Sequence, residues 1–123
     1  MPDPRHLLGQ RAEDATAAWL TTRGWTILAR RWRCAYGELD LVALDPEGVL
    51  VAIEVKSRST GRAGDPLESV DARRLRRLRA ALGGFRAALA SSLGDGMRVD
   101  LVVVRPNGDG RWRLVHNPSI DGW

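Results

Sequence analysis

Tyr36-Gly37-Glu38-Leu39-Asp40-Leu41-Val42-Ala43-Leu44, then Asp45-Pro46-Glu47-Gly48, then Val49-Leu50-Val51-Ala52-Ile53-Glu54-Val55-Lys56 is the stretch that decides the fold. Two β-branched, apolar-rich runs flank a turn signal and read as a hairpin. Pro46 suits the first turning position, Glu47 the second and Gly48 a left-handed third, which describes a type I turn plus a bulge. Closing the loop this way pairs Asp45 with Val49. It then sets Leu41 opposite Ile53, Asp40 opposite Glu54, Leu39 opposite Val55 and Glu38 opposite Lys56. One face becomes apolar through Leu39, Leu41, Ala43, Val51, Ile53 and Val55. On the other face Glu38, Asp40, Glu54 and Lys56 gather at the end far from the turn.

Working outward, Leu8, Ala12, Ala15 and Trp19 recur at helical spacing, so residues 7–23 read as an amphipathic helix ended by Gly24. Trp25 to Arg33 reads as a strand, and residues 57–64 as a mobile polar loop. Asp65, Pro66 and Glu68 make a capping signature for a second helix, whose stripe is Leu75, Leu78, Leu82, Phe85 and Leu89. Gly83-Gly84 invites a kink there, since paired glycines cost about 2 kcal/mol of helix propensity relative to alanines. Val99–Arg105 and Arg111–Val115 complete an αβββαββ order. The expectation is one domain over residues 1–123, of α/β (α+β) class, with helices flanking a central mixed sheet.

The chain has 123 residues, a net charge of +4 and 44% hydrophobic residues. Its pI of about 10.5 favours an anionic partner, nucleic acid before membrane. The lone Cys34 excludes an intrachain disulfide and fits a reducing compartment. No signal-peptide run and no spanning segment is legible, so a soluble cytoplasmic protein is expected. Of nineteen basic residues only Lys56 is lysine. Lysine is a compact point charge whose pKa moves with its surroundings, whereas arginine is a planar fork that stays protonated.

Directly opposed like charges destabilise a sheet, so Asp40 facing Glu54 needs a reason. Two carboxylates that meet beside apolar residues share a proton or a cation, unless the cluster is merely solvated. Hard oxygen donors without nearby Cys or His suit Mg²⁺ or Mn²⁺. Glu13, at the border of the first helix's apolar stripe, is either a surface residue or a third carboxylate if that helix crosses the hairpin.

At these residues the chain resembles the PD-(D/E)XK nuclease superfamily, whose core is αβββαβ and restriction-endonuclease-like. Within it the sequence is most similar to the YraN-like family of bacterial proteins, themselves similar to archaeal Holliday-junction resolvases. The resemblance is carried by Gly9-Gln10-Arg11-Ala12-Glu13, Gly37-Glu38-Leu39-Asp40, Glu54-Val55-Lys56, Arg98-Val99-Asp100-Leu101-Val102 and His116-Asn117. It implies that Asp40 and Glu54 hold a divalent metal, with Glu13 bound directly or through water. It also implies that Lys56 orients or deprotonates the attacking water. Glu38 fits the motif, and its parity suggests that it tunes Lys56. Family members commonly carry lysine where this chain has Arg73. The implied function is hydrolysis of phosphodiester bonds in branched or single-stranded DNA, as a homodimer if two strands are cut. The alternative is a non-catalytic nucleic-acid-binding module on the same fold.

Arg73, Arg74, Arg76, Arg77 and Arg79 crowd the second helix, with Asp71 the only acid close by. Solvated charge and phosphate contact both account for the run. Arg58 and Arg62 follow the motif and are placed to grip a backbone. Trp32 among Arg30, Arg31 and Arg33 reads either as core or as a base-stacking platform. Asp100 reads as a structural acceptor at a strand's edge, and His116 as lacking a catalytic partner.

Overall fold

The computed structural model describes residues 4–58, 70–89, 93–94 and 96–122. Its elements are α1 (Pro4–Thr22), β1 (Thr26–Cys34), β2 (Gly37–Leu44), β3 (Leu50–Ser57), α2 (Ala72–Ala88), β4 (Met97–Pro106) and β5 (Trp112–Asn117). The five strands form one sheet in chain order, antiparallel throughout except for the parallel pair β3–β4. A parallel pair needs a crossover, and α2 supplies it. The expected α+β architecture, a mixed sheet flanked by helices, is the one observed.

Each helix covers one face. Ala12, Ala17 and Leu20 of α1 pack on Leu41, Ala43, Val51, Ile53, Val102 and Val104. Leu78, Ala81, Leu82 and Phe85 of α2 pack on Val42, Leu50, Ala52 and Val99. Residues 41–43, 50–53 and 99–104 therefore alternate between two cores, which explains their nearly continuous apolar run. Among the described residues no helix is long and apolar enough to cross a membrane.

The hairpin turn forms as its residues require. Gly48 takes φ +88° and its N–H donates to the Asp45 carbonyl at 2.9 Å, while the Asp45 N–H donates to Val49 at 2.9 Å. The Asp45 carboxylate accepts the N–H groups of Glu47 and Val49, tightening the same loop. Gly24, at φ +89°, ends α1 as its sequence position suggests.

Several expectations need correcting. The helix bearing the Leu75–Phe85 stripe is capped by Asp71, whose carboxylate accepts the Arg74 N–H at 2.9 Å. The signature at Asp65, Pro66 and Glu68 lies outside the described residues. Gly83-Gly84 does not break α2, because tertiary packing on both sides overrides propensity. Trp32 is partly buried and packs against the α2-side core, edge-on to Phe85 with ring centroids 5.3 Å apart, as its reading as a core residue expects. Asp100 is not at an edge. It is fully buried in β4, where it accepts from Arg98, the Ser119 N–H and His116 Nε2, so His116 does have a partner.

A candidate carboxylate–lysine site

Regular alternation would put Leu39 and Leu41 on one face. Leu41 instead packs under α1 and Leu39 under α2. The irregularity continues across the ladder, where Arg31 has φ +50° between the pairs Arg30–Leu41 and Trp32–Leu39. A left-handed non-glycine residue costs about 1–2 kcal/mol and calls for something to hold it. Arg31 is held by Glu13 of α1, Nε to Oε1 at 2.9 Å, while its neighbour Arg30 meets Asp14 at 2.6 Å. Two consecutive arginines reaching the same helix is what the left-handed backbone permits.

Asp40 sits at this crossover. The β2–β3 ladder follows the expected register from Leu44–Leu50 to Leu41–Ile53 and its paired positions end there. Beyond it, the Val55 N–H donates to Asp40 Oδ2 at 2.9 Å, so the bond there goes to a side chain. Glu54 and Lys56 therefore share the α2 side of the sheet, with Lys56 Nζ 3.3 Å from Glu54 Oε1. Arg74 of α2 makes a second ion pair to that same oxygen. Glu54 is 3% exposed, so both cations offset the cost of burying its charge.

The same crossover separates two residues expected to meet. Glu38 faces β1 and pairs with Arg33 at 2.8 Å, rather than with Lys56. Glu38, Glu13, Arg31 and Arg33 line a cleft of about 330 Å³ on the α1 side. The carboxylate that meets the lysine is Glu54 instead. Of the expected arginines, Arg73, Arg74 and Arg77 surround a polar depression with Asp71, and Arg76 is exposed on the same helix. Arg79 belongs elsewhere, paired with Asp121 and donating to the Met97 carbonyl at 3.1 Å. Arg58 follows β3 directly, and Arg62 lies outside the described residues.

Electrostatics single out Asp40. Burial, then the neighbouring Glu54 charge, push its carboxyl up to about 7, with Glu13 adding to the rise. The Val55 N–H and Lys56 oppose the shift without cancelling it. Asp40 is thus the acid that the site's own cations leave under-compensated, as perturbed groups at functional sites commonly are. Among the described residues no hydrogen bond reaches Asp40 Oδ1 or Glu54 Oε2. Carboxylate oxygens are the donor type that suits Mg²⁺ or Mn²⁺, ions that keep several waters and take one or two protein carboxylates. Glu13 does not complete a trio: among the described residues no three His, Cys, Asp or Glu side chains are gathered to hold one ion.

A two-helix α+β domain with paired carboxylates and a lysine where two strands part is the class defined by this fold and site. The family model described as "Uncharacterised protein family UPF0102" matches residues 12–104, and the chain belongs to that family, the YraN-like proteins. The UPF0102 protein of Anaeromyxobacter dehalogenans is 43% identical over 121 residues, spanning 98% of this chain and 88% of its own. That of Symbiobacterium thermophilum is 44% identical over 112 residues, spanning 89% and 93%. That of an Arthrobacter species is 37% identical over 112 residues, spanning 91% and 93%. The matched region includes Glu13, Asp40, Glu54 and Lys56.

Proposed function

We propose that this protein is a divalent-metal-dependent endonuclease that hydrolyses phosphodiester bonds in branched or single-stranded DNA. The observation that carries the reading is the Asp40–Glu54 pair, destabilised in its own site and bordered by the chain's one lysine. A pure binder gains nothing from an uncompensated acid beside a buried one. When bound, Mg²⁺ or Mn²⁺ supplies polarisation of the phosphoryl oxygen and a lowered pKa for water. Asp40 Oδ1 and Glu54 Oε2 are the atoms that would hold it. Lys56, steadied by Glu54 Oε1, orients the attacking water and neutralises charge that builds on the phosphate. Water forms the new P–O bond as the bond to the leaving sugar oxygen breaks. Arg73, Arg76 and Arg77 supply sequence-independent backbone contact, which fits recognition by shape.

Incubation with labelled junction, flap, single-stranded and duplex DNA in Mg²⁺ or Mn²⁺ tests this. Cleavage of at least one substrate is expected, with activity lost in Glu54→Ala and in Lys56→Ala. Wild-type rates in Lys56→Ala would remove the lysine's role. One observation favours the second reading, a binding module without turnover: Arg31 holds Glu13 and Arg74 holds Glu54. Binding without cleavage under every metal condition would establish it.

Arg74 offers a separate check, because its guanidinium competes with a metal for Glu54. Arg74→Gln is expected to bind Mn²⁺ about tenfold more tightly, a change of about 1.4 kcal/mol, measured by the loss of the free-ion paramagnetic resonance signal. Weaker binding in the variant would mean that Arg74 helps to build the metal site instead of masking it.

A further inference from the structure

The registers of β3, β4 and β5 line up rows of side chains on the α2 side of the sheet. Glu54 pairs with Leu101 and Leu101 with Asn117; Lys56 pairs with Val103 and Val103 with Val115. The next row is Arg58, Arg105 and Arg113: Arg105 pairs with Arg113, and the Arg58 N–H donates to the Val104 carbonyl at 2.9 Å, carrying the parallel register on by one residue. Three guanidinium side chains thus lie abreast on three adjacent strands, about 4.8 Å apart between strands. They stand one side-chain repeat, about 6.6 Å, beyond Lys56.

Like charges directly opposed across a ladder destabilise it, and here the opposition is repeated. Six arginines elsewhere, Arg30, Arg31, Arg33, Arg74, Arg79 and Arg98, each meet a carboxylate. Among the described residues the side chains of Arg105 and Arg113 make no hydrogen bond or ion pair, and the Arg58 side chain reaches only the Ser57 carbonyl. Arg58 Nε is buried without a hydrogen-bond partner there, a donor that burial leaves costly. Beside the row, Val115 is 41% exposed, so this part of the α2 side stays open to solvent. Helix α2 packs over β2 and the first residues of β3 and β4, away from the row.

We propose that Arg58, Arg105 and Arg113 form a phosphate track, on which the sugar–phosphate backbone of a nucleic acid crosses β3, β4 and β5 beside Lys56. Spaced guanidinium groups on a strand surface suit successive phosphates, whose charge they neutralise with release of counterions. The track deepens the proposed function, since it leads a strand to the carboxylate–lysine site. Arg105 and Arg113 lie beyond residues 12–104, the span matched by the family.

The test uses the full chain in EDTA, with fluorescence anisotropy of labelled single-stranded and duplex DNA over a series of salt concentrations. The double variant Arg105→Gln, Arg113→Gln is compared with wild type, and urea unfolding of both checks folding. Removing two phosphate contacts should flatten the plot of log K against log salt by about 1.4 for single strands and about 1.8 for duplex. The variant should be no less stable, because a like-charge pair has gone. A flatter slope supports the track whether or not wild type cleaves DNA. An unchanged slope overturns it while leaving cleavage, assayed separately with Mn²⁺, to decide the nuclease reading. Equal protection of the wild-type fold by inorganic phosphate and by DNA, at equal phosphate concentration, would also overturn it.

Discussion

Asp40→Asn is expected to make the metal-free protein more stable at pH 8, by about 1–3 kcal/mol, while abolishing Mn²⁺ binding. Asn keeps an acceptor for the Val55 N–H and removes the charge. The folded pKa of Asp40 is raised to about 7 from 3.8, first by burial and then by Glu54. A carboxyl raised on folding binds more protons in the native state. Its stabilising contribution is complete below the unfolded pKa and is lost as pH rises through the folded one. The shift sets a ceiling of about 4 kcal/mol, and solvent reaching a half-buried group lowers the expected gain. Urea unfolding of both proteins at pH 4 and pH 8 measures it: near equality at pH 4, divergence at pH 8. Equal pH dependence in the two proteins would mean that Asp40 is ionised at little cost, and would remove the main support for a cation there. A site held at the expense of stability is the usual relation between function and folding.

Asp100→Ala should cost about 3–5 kcal/mol, most of the stability of a small domain, by leaving Arg98 and His116 without their shared acceptor. Asp100 is fully buried and accepts from Arg98 Nε at 2.9 Å, His116 Nε2 at 2.8 Å and the Ser119 N–H at 2.9 Å. Arg98 also reaches Asp45 at 2.6 Å and lies over the Trp25 ring, while His116 meets Trp19 and Trp25 edge-on. The network ties the hairpin turn to β4, β5 and the C-terminal segment, so its loss is felt across the fold. A fall in the urea midpoint with an unchanged slope is the expected signature. A loss below 1 kcal/mol would mean that water replaces the carboxylate.

This network also has a pH dependence opposite to that of Asp40. Burial alone would raise Asp100, but His116, Arg98 and the Ser119 N–H reverse that and lower it. Asp45 is likewise lowered, by the Val49 N–H and Arg98 against its burial. Carboxyls lowered on folding contribute stability above the unfolded pKa and lose it as pH falls through the folded one. Acid unfolding should therefore begin below about pH 4, and Asp100→Asn should weaken that dependence.

The sequence was legible wherever local chemistry decides. Pro46, Glu47 and Gly48 select one turn, the turn fixes the register, and the register puts Leu41 opposite Ile53 as observed. Gly24 ends α1 for a similarly local reason. Glu54 and Lys56 share a face because side chains two apart on a strand must. Asp100 was recognisable as a structural acceptor, but its burial and its partners were not, since Arg98, His116 and Ser119 meet only through β4–β5 pairing. The start of α2 at Asp71 and the continuity of its Gly83-Gly84 turn are not legible in the sequence, because packing, not propensity, governs there.

What the sequence determined by itself is the order of elements, the hairpin register near the turn and the identity of the charged residues at its far end. What only the tertiary structure decided is how those charges are shared. Regular alternation predicts Glu38 beside Lys56, yet the left-handed Arg31 and the switch between Leu39 and Leu41 send Glu38 to Arg33 and leave Asp40 between the two faces. Arg74 reaches Glu54 from twenty residues away. Turn type and strand period are properties of neighbouring residues, and so can be read along the chain. Charge compensation is a property of whatever surrounds a group in space, and that exists only once helices and sheet have packed.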